Sequence, residues 1–387
     1  MVKKQNLIQL WDNYTSLTSD KNLISFISGR PGQEAFNFAA KRLIKIIANT
    51  AKFEIKEIID YSPVDGLERL KKVLIRKYQT ENIFLDPKDI FITSGSQQAI
   101  DIFLKAFLKP GNKILLAREN YIGLQQSIFN CQAEIMTLSK PIGQMTYEQF
   151  EQIFKKEKIS LFYLASDFAN PTGETLSLAK RKEIIKLSCK YHFQILEDQV
   201  YRDLVFNLSD QIPSLRSLNQ EVNFVGSISK TIIPGLRIGW LTTNKKNRQE
   251  IYNQKRAVDL QTPYLNQSII AQFIENSYFF QKHLQTIRSY YQEKMKILLN
   301  SLKEYFPEGF FWNEPQGGFF VWAEGPKKLD SRILFKKALK NGIGIMPGFV
   351  FSYGKPQYNN FRLSISAVNK NQIEEGVKKI VKTIKES

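Results

Sequence analysis

The stretch Asp89–Gly111, "DIFITSGSQQAIDIFLKAFLKPG", changes its rhythm halfway. "DIFITSG" is a short apolar run closed by a glycine and reads as a buried strand, whereas from Ser96 onward apolar residues recur at helical spacing until Pro110-Gly111 stops them. The alternation continues down the chain. "KILLA" reads as a strand, "YIGLQQSIFN" as a helix and "AEIMTL" as a strand. Further on come the strand "SLFYLA", the helix "SLAKRKEIIKLSCKYH" and the strands "FQILED" and "VNFVGS". Buried strands separated by amphipathic helices predict a mainly parallel sheet covered on both faces. In such sheets the functional residues lie at the carboxyl ends of the strands. The unusual polar residues fall there: "TSGSQQA" after one strand, "SDFANPTG" after another, "EDQVY" after a third and "SISK" after the last.

Composition bounds what those strand ends can do. The 387 residues, 43% hydrophobic and 24% charged, describe an ordinary globular chain long enough for two lobes. The N-terminal "MVKKQNLIQLWDNY" lacks the apolar core of a signal peptide, and no apolar run approaches the roughly 18 residues of a membrane span. Two distant cysteines, Cys131 and Cys189, predict a reduced, cytoplasmic protein without structural disulfides. His192 and His283 are the only histidines, without cysteine or acidic partners at ligand spacing, so no metal site and no serine–histidine triad is expected. The net charge of +18 is spread over many segments and reads as solvated helix faces rather than a nucleic-acid surface.

The chemistry is read from the strand ends. At "TSGSQQAI" a helix opens at Ser96 behind a glycine turn, where unpaired N–H groups favour a phosphate; Ser94 or Ser96 as a plain cap is the simpler alternative. In "SISKTIIPGLRIGW", Ser227–Trp240, Lys230 sits among apolar residues, and Ser227 and Arg237 suit a phosphate. The Walker pattern is absent, which disfavours an NTPase. Asp198 follows the apolar "FQIL" and needs a partner there, either a core arginine or a protonated pyridine nitrogen. Tyr201 and Asn170 could hydrogen-bond a phenolate oxygen. A lysine with phosphate donors and a buried carboxylate suits Schiff-base chemistry on pyridoxal 5′-phosphate.

These pieces resemble the fold-type-I pyridoxal-phosphate enzymes, specifically the class I/II aminotransferases, in the aminoadipate/aromatic and MocR-like branch. "YSPVDGLERL", "ITSGSQQAI", "ANPTG", "EDQVY", "SISKTIIPGLRIGW", "PQGGFFVW", "GIGIMPGFVFS" and "FRLSIS" occur in family order over most of the chain. The resemblance implies an α/β fold with a large cofactor-binding domain over 52–265, built on a mostly parallel seven-stranded-type sheet. It also implies a smaller α+β domain formed by both chain ends, 1–51 and 266–387. By position it implies Lys230 as cofactor anchor and acid/base, Asp198 on the pyridinium nitrogen, and Asn170 and Tyr201 on the ring oxygen. Tyr121 would stack on the ring, and Ser96, Gln97, Ser227 and Arg237 would hold the phosphate, joined by Tyr61 from the second subunit of a homodimer. Arg362 would grip the substrate α-carboxylate. Gly317-Gly318 are expected as turn formers.

The sequence departs from the family where the substrate lies. Ser166 and Ala169 replace a common proline and glutamine, and Asp167 adds a carboxylate beside the cofactor loop. Gly29 and Arg30 of "SGRPG", with Asn170, Asp167 and Tyr264, are the expected substrate-side residues. The reading is an aminotransferase for an L-amino acid and a 2-oxo acid. The alternative is elimination, replacement or cyclisation at Cβ or Cγ, with Asp167 meeting a cationic, guanidino side chain; a solvated turn aspartate is the simpler reading of Asp167. A MocR-like regulator is not expected, because only about 25 residues precede "SFISGRPG", too few for a winged-helix module. Neither nucleic acid nor membrane is expected as a partner.

Overall fold

The computed structural model describes residues 23–386; the N-terminal stretch read for a signal peptide lies outside them. Strands β1 (Ile24–Ser25), β2 (Ile90–Thr93), β3 (Lys113–Leu116), β4 (Glu134–Thr137), β5 (Ile159–Leu164), β6 (Gln194–Asp198), β7 (Asn223–Ser227) and β8 (Gly239–Thr242) come first. β9 (Phe311–Trp312), β10 (Phe320–Glu324), β11 (Ile343–Gly344), β12 (Met346–Pro347) and β13 (Asn360–Ser364) follow. A seven-stranded sheet has the order β2-β8-β7-β6-β5-β3-β4. β3 to β7 are mutually parallel, while β8 runs antiparallel to both β2 and β7. The fold is thus α/β with a mostly parallel sheet, as the sequence predicts, apart from this inserted antiparallel strand.

The sheet is buried because its strands carry apolar side chains on both faces. In β2 all four residues are buried, and the helix Ser96–Phe107 seals one face with Ala99, Ile100, Phe103 and Leu104. On the other face Leu115, Phe162 and Ile195 pack with Phe150 and Phe154 of the helix Tyr147–Lys156. That helix is started by a reciprocal capping box between Thr146 and Gln149. After β8 the chain becomes helical, over Arg248–Asp259, Tyr264–Glu275 and Ser277–Tyr305. It then builds a four-stranded antiparallel sheet, β12-β13-β10-β9, with β1 and β11 paired in parallel beside it. Arg362 lies on β13 opposite Trp322 of β10 and Met346 of β12, in the middle of that second sheet.

Candidate active site

The ends of β2, β5, β6 and β7 meet Arg362 of the second sheet. Lys230, three residues past β7, is half-buried, and its Nζ donates to the Gly29 carbonyl at 2.8 Å. It stands 5.5 Å from the centre of the Tyr201 ring. Burial, with Arg362, Arg237 and Arg30 adding like charge and Asp198 opposing, pulls its pKa down to about 8. An amine so placed is neutral far more often than a surface lysine and can act as nucleophile and base.

Asp198 closes β6. A core salt bridge, one of its two readings, is not what the structure gives: Asp198 accepts from the Tyr163 hydroxyl at 2.5 Å and the Val200 N–H at 3.0 Å. Asp198 as a whole is half-buried. Burial pushes its pKa up, against the pull of Tyr163, Val200 and Lys230. A carboxylate left short of cationic partners at that depth suits a protonated ring nitrogen. Tyr163 is a residue that sequence reasoning missed, because inside the apolar "SLFYLA" it reads as core. Tyr201 is buried edge-on to Phe319 and Phe320, and burial raises its hydroxyl well above the ordinary range. Tyr121 is half-buried and pushed up to about 12 by burial and by Asp198, with Arg237 opposing.

At the end of β2 the helix Ser96–Phe107 opens on Gly95 with no side chain capping it. A plain serine cap is therefore excluded, and the first N–H groups of the helix are left without a side-chain acceptor. Gly95 has φ +83, and a Cβ there would collide with the Arg237 guanidinium. Arg237 is itself left-handed, φ 52, and donates to the Ser94 carbonyl at 3.2 Å. The Ser227 hydroxyl is engaged in its own turn, 2.9 Å from Ser229 Oγ and 3.1 Å from the Ile238 carbonyl, which makes Ser229 a second residue missed from sequence. Gln97 donates to the Gly123 carbonyl, while its buried Oε1 has no partner.

Arg362 is fully buried, donates to Asn170 Oδ1 at 2.7 Å and to the Ile27 carbonyl at 2.5 Å, and lies over the Phe320 and Phe351 rings. Its Nε has no partner, and no carboxylate pairs with it among the described residues. Burial pulls its pKa down accordingly. A buried guanidinium without a counter-charge is a site waiting for an anion. Open helix N–H groups with Arg237, a carboxylate facing a lysine, and an orphaned guanidinium together fit pyridoxal phosphate and an amino-acid carboxylate.

Two expectations are corrected. Asp167 does not face the substrate: it is buried, its Oδ1 lies 2.5 Å from Arg181 Nη2, and its Oδ2 lies 2.8 Å from Arg202 Nη1. It belongs to a buried network in which Arg202 also binds Glu81, Glu81 binds Lys77, and Ser166 and Gln199 donate to Glu197. With both oxygens taken, it has no charge to offer a guanidino substrate. Tyr264 likewise spends its hydroxyl on Glu54, at 3.0 Å. Gly317 and Gly318 do more than turn the chain: a Cβ at Gly317 would collide with the Phe168 ring and one at Gly318 with the Phe168 Cβ. Tyr61 is 79% exposed in its own subunit, and Arg30 is exposed at the surface. Among the described residues no group of histidine, cysteine and acidic side chains could hold a metal ion, and no helix is long and apolar enough to cross a membrane.

The fold and the crevice are those of a pyridoxal-phosphate-dependent enzyme of fold type I. Comparison with known proteins narrows the class. The family of class I and II aminotransferases matches residues 21–380, and the chain belongs to it. A 2-aminoadipate transaminase of Thermus thermophilus is 32% identical over 378 residues, which is 95% of this chain and 92% of that protein. The crystal structure of an α-aminoadipate aminotransferase from Thermus thermophilus, complexed with N-(5′-phosphopyridoxyl)-L-leucine, superposes with a TM-score of 0.88 at 29% identity, covering 95% of this chain and 93% of that one. A multiple-substrate aminotransferase from Thermococcus profundus superposes at 0.90 with 27% identity, covering 97% and 94%. The protein is a pyridoxal-phosphate-dependent aminotransferase, acting on amino acids and 2-oxo acids. The elimination or cyclisation alternative is not favoured.

Proposed function

We propose that Lys230 carries the cofactor and that the residues around it divide the work of transamination of an L-amino acid. When bound, pyridoxal phosphate supplies a cationic ring that takes up the electron pair left when Cα of the amino acid loses its proton. Asp198, oriented by Tyr163, holds the proton on the ring nitrogen. Tyr201 and Asn170 hydrogen-bond the ring oxygen, and Tyr121 covers one face of the ring. Ser96, Gln97, Ser227 and Arg237, with the open helix N-terminus, bind the phosphate. Lys230 anchors through Nζ and, once released as a neutral amine, takes the proton from Cα. Arg362 binds the α-carboxylate, with Asn170 at its side, and Gly29 and Arg30 border the substrate's side chain.

The observation that carries this reading is Arg362, fully buried, with an unpartnered Nε and no carboxylate paired with it among the described residues. The unit proposed is a homodimer in which Tyr61 reaches the partner's phosphate site. Supporting it, the large apolar side chains Ile44, Phe53, Ile55, Ile59 and Tyr61, all within residues 44–61, are exposed in the single subunit. The large domain is placed at 52–265, with the two ends forming the small one, and the enzyme in a reduced compartment, the cytoplasm, since Cys131 and Cys189 are both free. Borohydride reduction of the cofactor-loaded protein followed by peptide mass spectrometry tests the anchor. The adduct is expected on Lys230, and an adduct on another lysine would overturn the assignment. Sedimentation of wild-type protein, and mixing Tyr61→Phe with Lys230→Ala subunits, tests the shared site: mixed dimers should regain one intact site, and a fully active monomer would refute it.

A further inference from the structure

One of the chain's two histidines lies directly behind Lys230. His283, on the long helix Ser277–Tyr305, is fully buried, and its Nε2 is 2.6 Å from the carbonyl oxygen of Thr231, the residue after the lysine. A carbonyl only accepts, so the imidazole carries its proton on Nε2 and donates. Its Nδ1 is buried with no partner. The ring is boxed by aromatic groups: Phe38 is stacked at 6.2 Å, and Phe273 is edge-on at 5.4 Å. Burial pulls the His283 pKa down, the Thr231 contact opposing, so the ring is neutral.

By packing alone this is a poor place for histidine. A phenylalanine would fill the aromatic box without the stranded Nδ1, and a buried acceptor without a donor is destabilising, so the Nδ1 cost must be offset by the bond that Nε2 makes. What histidine adds is the single bond to the Thr231 carbonyl. That carbonyl belongs to the peptide that follows Lys230 in an irregular turn, where Ile228 N–H donates to Ile238 O, Ser229 N–H to Ser227 Oγ, and Thr231 N–H and Ile232 N–H both to Ile228 O; the His283 bond holds the turn from its far side.

We propose that His283 is a positioning residue for Lys230: its Nε2–H bond to the Thr231 carbonyl fixes the turn that aims the lysine amine between Tyr201, Gly29 and Asp198. It does not touch substrate or cofactor. The proposal rests on Lys230 being the cofactor lysine, as read above. Misplacing a reacting group by about an ångström costs up to roughly a hundredfold in rate, so the consequence falls on kcat rather than on binding.

The test uses the full-length, cofactor-loaded enzyme and its cofactor-free form. H283F exchanges the stranded Nδ1 for a stranded Thr231 carbonyl, so the thermal midpoint of the cofactor-free protein is expected to stay close to that of the wild type. It should lower kcat by roughly tenfold to a hundredfold with KM for the amino acid changed less than about twofold, and slow acylation of Lys230 in the cofactor-free protein. H283Q, whose amide nitrogen reaches where Nε2 stood, should recover most of the rate. If H283F does not fold, H283N, whose amide falls short of Thr231, takes its place against H283Q. Wild-type kcat in H283F, or activity losses in H283F and H283Q that simply follow lost thermal stability, would overturn the proposal. Absence of a reducible adduct on Lys230 in the wild type would instead strike the cofactor assignment.

Discussion

Replacing Arg362 with alanine separates binding of the substrate carboxylate from every other part of the site. The guanidinium is enclosed by Phe320 and Phe351, bonded to Asn170 and the Ile27 carbonyl, and unpaired with any carboxylate among the described residues. An amino acid bringing its α-carboxylate there forms a desolvated, charge-assisted pair. Truncating one partner of such a pair costs about 2–5 kcal/mol, which at about 1.4 kcal/mol per tenfold is roughly 30- to 4,000-fold in kcat/KM. The informative assay compares an amino acid with the amine that lacks its carboxyl group. Wild-type enzyme should prefer the amino acid by that factor, and R362A should lose the preference by slowing only the amino acid. Stability should move the other way in R362M, since an apolar side chain of similar length removes a buried unpaired charge. Equal losses for amino acid and amine in R362A would refute the carboxylate role and point to a collapsed site.

Two further outcomes follow from the same geometry. In the cofactor-free protein, acylation of Lys230 followed by mass spectrometry should be half-maximal near pH 8 rather than near the ordinary 10.5. Because the unfolded chain keeps that proton to higher pH, Lys230 contributes stability that rises as pH climbs from about 8 towards 10.5; a modification midpoint above 10 would contradict its enclosed position. Asp167→Asn should lower the urea-unfolding free energy by about 3–5 kcal/mol, because it leaves Arg181 and Arg202 buried without their shared carboxylate. It should leave substrate selectivity unchanged, whereas altered selectivity at wild-type stability would return Asp167 to the substrate side.

What could be read in the sequence was local. The period change between Thr93 and Ser96, the apolar runs ending in "EDQVY" and "SISK", and the turn at Asn170 are each written in consecutive residues, so the parallel sheet and the crevice at its strand ends followed directly. What could not be read depends on residues distant in the chain. β8 enters between β2 and β7 in antiparallel orientation, and "RIGW" carries no mark of direction. Tyr163 reads as core until β5 and β6 are set side by side in register, which puts its hydroxyl on Asp198. Asp167 looks like a solvated or substrate-facing carboxylate because its partners, Arg181 and Arg202, lie 14 and 35 residues away. His283 reads as an ordinary helical residue, since Thr231 is 52 positions earlier. Conversely, Asp198 has two readings in sequence, and its partners Tyr163 and Val200, with no arginine paired to its oxygens among the described residues, choose between them.

The most direct test of the account is a single turnover of the purified, cofactor-loaded enzyme with one amino acid at a time and no 2-oxo acid. Acidic, aromatic, aliphatic and guanidino amino acids would be offered, absorbance following the cofactor and mass spectrometry the products. The account predicts one equivalent of pyridoxamine phosphate and one of the matching 2-oxo acid per site, with no further turnover until a 2-oxo acid is added, and neither product from Lys230→Ala. Continued turnover with the cofactor unchanged, and a product lighter by water or another leaving group, would contradict it.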